Sequence, residues 1–266
     1  MDLAHWIRPF EANKTNRPEP DWAAPVPLPP QVRCKLTRSL AQFQLGDGGG
    51  PASLIAWNAG RFRDQSAEMR RLVDAWFDEE KEHSRLLLAA IRRFGGRPIT
   101  GHWRFSCFLF CRRWFGVRVE LTVLLLTEIA STSTYRLLRR HCGDPAVAEM
   151  CGLTLRDEAG HIRFHGARLA AEGRRLGPLR RAVFRLLGHA AGTMLWINHG
   201  AALTVLGGSR AAFYAELRRE LSGFLTRHET AIGIRHCGGL LPPPAPQARR
   251  VRVPRPQSAK RHVERA

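Results

Sequence analysis

Two Glu-x-x-His pairs mark where this chain could do chemistry. Glu80 and His83 sit in Phe-Asp-Glu-Glu-Lys-Glu-His (77–83), and Glu158 and His161 sit in Arg-Asp-Glu-Ala-Gly-His (156–161). Residues three apart share one face of a helix. A carboxylate can bridge two cations, and a neutral imidazole offers one directed nitrogen. Together they form a hard-to-borderline donor set that suits Fe, Mn or Zn. One such pair says little, because many surface helices carry one. The surroundings of these two say more.

The segment 64–94 carries an apolar stripe of Met69, Leu72 and Trp76, then Leu87, Ala90 and Phe94, in steps of three and four. The two positions missing from that stripe are Glu80 and His83, so a carboxylate and an imidazole stand where core residues belong. The segment 145–172 repeats the pattern. Val147, Cys151 and Thr154 lead to Glu158, His161 and His165, and Leu169 resumes the stripe. Glu128 is a single acid inside Leu124-Leu125-Leu126-Thr127-Glu128-Ile129-Ala130, and Asp47 takes the next stripe position after Leu36, Leu40 and Phe43. Burying an unpaired carboxylate is costly, so acids inside a core are paired or bind metal. Four inward carboxylates and two His at i+3, one set per helix, make up a two-metal carboxylate site.

The helices that must position these groups are readable. We expect a first helix near 32–46, with Gly46-Asp47-Gly48-Gly49-Gly50 ending or interrupting it near Asp47 and a helical or loop segment onward to Arg61. Long helices follow at about 64–94, closed by Gly95-Gly96, and at 117–141, closed by Gly143-Asp144-Pro145. Others are expected at 145–172, 179–206 and 209–231. Residues 101–116, aromatic and basic, read as a connector or short helix. This order gives an all-α fold, a four-helix bundle with one long crossover and additional C-terminal helices. The domains expected are a Pro-rich extended arm (1–31), the bundle (32–178), a helical extension (179–232) and a Pro/Arg-rich basic tail (233–266).

With these residues in view, the chain resembles the ferritin-like superfamily of carboxylate-bridged di-iron proteins. The resemblance covers about residues 36–170 and rests on Phe-Gln-Leu-Gly-Asp (43–47), the two Glu-x-x-His segments and Glu128. It implies Asp47, Glu80, His83, Glu128, Glu158 and His161 as ligands of two Fe ions, with Mn or a mixed Fe/Mn pair as variants. Asp47 departs from the pattern, since most relatives carry Glu there. The resemblance also implies that an acid just before a ligand Glu accepts a hydrogen bond from a ligand His across the site. Asp157 is expected in that role, while Glu79 reads as a solvated helix residue. His165 reads as a satisfied core histidine, with an extra ligand or proton donor as the alternative. Tyr135 reads as a core tyrosine, or as a donor to a site carboxylate. Ala130, Ser131 and Thr132 are small enough to leave room for O₂ or a substrate.

The function implied is an O₂-dependent oxidase or oxygenase of an organic substrate, served by an electron donor. Iron handling and a di-iron enzyme acting on RNA are the alternatives. The absence of a Cys-x-x-Cys pair argues against a rubrerythrin-like peroxidase. The formal charge of +19 points to an anionic partner, RNA or a membrane surface, although much of the Arg reads as solvated helix faces. Residues 241–266 hold seven Arg or Lys against one Glu, so the tail carries +6 of that charge. The six Cys and the lack of an apolar stretch in residues 1–10 fit a reducing, cytoplasmic compartment, peripheral to a membrane in one variant. Cys107 and Cys111 read as small buried hydrophobes. Leu186 to Ser209 lacks Asp, Glu, Lys and Arg, yet His189, Asn198, His199 and five Gly favour a buried or surface-lying helix over a span. A homodimer is also compatible with the pattern.

Overall fold

A computed structural model describes residues 2–48, 66–171 and 176–236, with the backbone alone at 48, 103–105, 107–109, 111–118 and 233–236. Every regular element among the described residues is a helix: α1 (Leu3–Thr15), α2 (Pro30–Gly48), α3 (Ala67–Arg93), α4 (Trp103–His141), α5 (Pro145–Ala171), α6 (Pro178–Val205) and α7 (Arg210–His236). The all-α expectation therefore holds. The segment up to Arg61, Cys107 and Cys111 as buried side chains, and the tail from 237 lie outside the described residues.

Local signals set the helix ends. Ser66 caps α3 by accepting a hydrogen bond from Met69 N at 3.2 Å, and Arg92 and Arg93 fill the last turn, where cations offset the carbonyl end. Gly95 follows in the left-handed region (φ 74°), and Gly96 N–H returns to Ile91 O at 2.9 Å. A Cβ on Gly96 would lie 2.0 Å from the Thr37 methyl, so glycine is also required where α2 passes the end of α3. Gly143 (φ 69°) separates α4 from α5, and Asp144 caps α5 through Val147 N at 3.1 Å.

Side-chain contacts give the helix directions. Thr37 meets Gly96 and Gln44 donates to Ser84, so α2 and α3 are antiparallel. Glu79 meets His161, His83 meets Asp157 and Arg93 meets Asp144, so α3 and α5 are antiparallel. Glu128 faces His161 while Arg139 lies over Gly152, so α4 also opposes α5. It follows that α3 and α4 run the same way, and the chain must return along the molecule between them. Residues 94–102 span at most roughly 35 Å. A straight α4 of 39 residues would be about 58 Å long. α4 therefore cannot be straight throughout, and residues 94–102 together with the start of α4 make the return. The expected connector at 101–116 is thus helical from Trp103 onward.

The main core runs through α2, α3, α4 and α5 and continues into α6 and α7, with Leu36, Leu40, Leu87, Ile91, Leu125, Ile129, Met150, Phe213 and Phe224 buried within it. Gly188 and Gly192 let Leu221 and Leu217 of α7 approach the α6 backbone, where a Cβ would come within 2.5 and 2.3 Å of them. The other side of α6 is apolar and exposed, including Leu179 (77%), Leu186 (69%) and Ile197 (55%). No described helix is long and apolar enough to cross a membrane. His199 on α6 joins α2, with Nδ1 2.8 Å from Ser39 Oγ and the ring stacked 4.0 Å from Phe43; burial pushes its pKa down to about 3, so the ring is neutral.

The N-terminal arm differs from expectation. Residues 3–15 are helical, capped by Asp2, which accepts from His5 N at 3.2 Å. The composition of 1–31 is Pro-rich because of residues 18–30, and the amphipathic stretch before it was masked by that average. Ile7 and Phe10 pack against Leu72, Trp76 and Phe164, so α1 lies across α3 and α5. The extended part is held by Arg93, whose guanidinium donates to the carbonyls of Trp22, Ala24 and Pro25 and pairs with the buried Asp144 at 3.0 Å.

Candidate metal centre

Glu80 lies at the middle of the cluster. Asp47, Glu80 and His83 each bring a ligand atom within 4.8 Å of the others, and Glu80, Glu128 and His161 do the same. The two triads share Glu80. Glu158 joins them from α5, with Oε2 3.6 Å from His161 Nδ1. His161 Nδ1 also lies 3.3 Å from Glu80 Oε1 and 3.8 Å from Glu128 Oε1, and His83 Nδ1 lies 3.7 Å from Glu80 Oε2. The structure thus brings together all six residues expected as ligands.

Both imidazoles are held from behind. His83 Nε2–H donates to Asp157 Oδ2 at 3.1 Å, and His161 Nε2–H donates to Glu79 Oε2 at 3.0 Å. The arrangement is reciprocal: the acid before each ligand Glu serves the histidine of the other helix. A carboxylate can only accept, so Nε2 carries a proton and Nδ1 faces the cluster. Glu79 is accordingly no solvated residue. It is buried at 4% exposure, because the register that points Glu80 inward turns Glu79 toward α5. The matching positions of Glu79 and Asp157, each just before the ligand Glu, were the signal for it.

Other residues of the site were not apparent in the sequence. Trp76 Nε1–H donates to Glu80 Oε1 at 3.1 Å, and its ring lies 5.1 Å from that of His161. The stripe marked Trp76 only as core, although its position one turn before Glu80 was available. Asn13 of α1 donates to Glu79 Oε1 at 2.9 Å and to Asp157 Oδ1 at 3.3 Å, so one amide ties both outer acids. Arg17 Nη2 reaches Asp157 Oδ2 at 2.6 Å, Arg156 Nε reaches Oδ1 at 3.0 Å, and Phe10 stacks 5.6 Å from His161. No local pattern announces partners 66 or 144 residues away.

His165 is fully buried, but neither ring nitrogen makes a hydrogen bond. Nε2 lies 3.7 Å from Glu128 Oε2, and burial with the charges of Arg168 and His161 holds the ring well below the usual histidine range. It is therefore not a satisfied core histidine. Tyr135 packs on Phe43, and its hydroxyl has no hydrogen-bond partner among the described residues, so it reaches no site carboxylate. The hydroxyls of Ser131 and Thr132 turn back onto the Glu128 carbonyl at 3.0 and 2.8 Å.

Charge and satisfaction both call for cations here. Burial, then repulsion from Glu80, pushes the Asp47 carboxyl well above its ordinary range. Burial likewise pushes up Glu128 and Glu158. Glu80 goes the other way: burial opposes its charge, but the His161 and His83 rings hold it below the usual carboxylate range. Those rings lose by burial and gain more from carboxylates, ending well above the usual histidine range. Among the described residues, His83 Nδ1, His161 Nδ1, Glu128 Oε2 and Glu158 Oε2 are buried without a hydrogen-bond partner. Buried polar atoms are normally paired, so four orphans aimed into one cluster are what cation ligands would leave. The donors present therefore fit a metal pair.

Comparison of the whole chain with protein-family models, with curated proteins and with solved structures gives no match. The functional reading rests on the site itself.

Proposed function

We propose that this chain is a ferritin-like di-iron carboxylate protein that uses O₂ to oxidise an organic substrate. The observation carrying the proposal is the pair of triads sharing Glu80, each histidine being held by the acid of the opposite helix. The helix directions support the bundle reading: α2 with α3 and α4 with α5 form antiparallel pairs, and α3 and α4 are parallel, as one long return requires.

Asp47 and His83 would hold one ion and Glu128 and His161 the other, with Glu80 and Glu158 between them. An iron pair there would supply two electrons to O₂. The chain's own residues do the rest. Asp157 and Glu79 keep the proton on each Nε2 and orient the rings. Trp76 fixes the Glu80 carboxylate through Oε1. Phe10, Trp76 and Phe164 cover the α1 side with apolar rings and exclude water from the histidines.

Metal analysis of the protein as purified, followed by stopped-flow mixing of the reduced form with O₂, tests this. We expect about two Fe per chain and a transient absorbing species on mixing. Absence of iron, or reduced protein inert to O₂, would overturn the reading.

A further inference from the structure

A second polar site lies on the outer side of Asp157. A cleft of about 870 Å³ opens between the chain just after α1, the last turns of α4 and the middle of α5. Arg17, Arg139 and Arg156 line it together with Thr15 and Asn16, and Glu149 is the one carboxylate among the lining residues. Three guanidinium groups face the cleft against Glu149, while Asp157 offsets Arg17 and Arg156 from behind. Arg139 is exposed and lies over Gly152, where a Cβ would come 3.4 Å from its guanidinium carbon, so α5 offers it a flat seat.

Arg17 and Arg156 are only half used by the protein. Each spends one nitrogen on Asp157, at 2.6 and 3.0 Å. Arg17 Nη1 and Arg156 Nη2 are buried and find no acceptor among the described residues, and the Arg17 side chain is only 8% exposed. A buried guanidinium nitrogen without an acceptor is costly, and the groups that satisfy a guanidinium fork best are oxyanions.

We propose that this cleft binds a small soluble oxyanion, a phosphate or carboxylate group held by Arg17, Arg139 and Arg156. The site stands apart from the metal reading, because it is built from side chains that ligate no metal in that reading. It is nevertheless wired to the centre: an anion on Arg17 and Arg156 is separated from His83 only by Asp157.

Isothermal titration of the full-length protein, at fixed ionic strength, with inorganic phosphate and separately with succinate tests the proposal and identifies the favoured group. We expect saturable 1:1 binding to at least one probe. Arg139→Glu should weaken it at least about tenfold, the size of one lost charge-assisted hydrogen bond, with metal content and Tm unchanged. Arg139→Lys keeps the charge without the fork and should fall in between. No saturable heat with either probe, or wild-type affinity in Arg139→Glu, would overturn the proposal whatever the metal content.

Discussion

Helices α3 and α5 bring histidines to the centre already tied from behind, while α2 and α4 bring single carboxylates with no such tie. On α3 and α5, each histidine has an acid behind it, and both acids share the Asn13 amide. On α2 and α4, Asp47 and Glu128 are single carboxylates pushed up by burial, and Glu128 Oε2 has no hydrogen-bond partner. One half is a preorganised scaffold. In the di-metal reading, the other half would close as a cation draws its carboxylates in. A site of this kind combines geometric precision with room for a carboxylate to shift.

The largest effect should come from the residue both halves use. Glu80→Ala should lower bound metal from about two ions per chain to near none by elemental analysis, and Glu158→Ala should do nearly the same. Retention of one full ion in Glu80→Ala would show that the triads are independent. Asp47→Ala and Glu128→Ala should each leave about one ion, which breaks the symmetry on the bare side alone.

Next come the tied acids. Asp157→Asn and Glu79→Gln should weaken metal binding by about 10–100-fold, the range for residues that orient a ligand histidine. A loss at Glu79 as large as that at Asp157 confirms the reciprocity in a competition titration with a chelator, and an unaffected Glu79→Gln would reject it.

A pH series on metal-free protein separates the halves differently. Asp47, Glu128 and Glu158 are raised by burial, and His83 and His161 are raised by the carboxylates around them. The folded state therefore holds protons that the unfolded chain releases, and stability falls as pH rises. The carboxylate share is lost upward from about pH 4, and the histidine share upward from about pH 6.5 as each passes its folded value. Glu80 and Asp157, lowered instead, contribute fully above about pH 5 and leave that slope unchanged, whereas His165 and His199, lowered by burial, oppose it below about pH 6.5, two groups against the five raised ones. Tm of the stripped protein should be higher at pH 5.5 than at pH 8, and bound metal should close the gap by replacing the protons. A Tm that rises over this range would contradict the site electrostatics.

The smallest effect expected is that of Asn13→Ala. Losing one amide from two buried acids should cost about 1–3 kcal/mol, read from denaturant unfolding, with a modest loss of metal affinity.

The six residues that meet in the cluster were legible because polar residues broke apolar stripes at core positions, and a local period carries that information over one helix. Helix ends were legible for a similar reason where Gly95 and Gly143 act on their own neighbours, whereas the start of α3 at Ala67 lies past the expected 64. Glu79 was misread because one stripe describes only one face of α3, and the second buried face appears only when α5 and α1 dock. Asn13, Arg17 and Phe10 were invisible because their roles depend on long-range docking, and the Pro-rich composition of residues 18–30 hid the helix that carries Asn13 and Phe10. Residues 101–116 were read as a connector or short helix, not as the start of the long helix that runs to His141.

The position of α1 also bears on how the protein is assembled. Asn13 precedes both acids it binds, which lie 66 and 144 residues downstream. Contacts of such separation form late, because loop closure must precede them. Asn13 bridges Glu79 and Asp157, so its full contact forms only once α3 and α5 have met. Until then the centre is open to solution on the α1 side, and in the di-metal reading loading with metal would be a maturation step that the docking of α1 then seals.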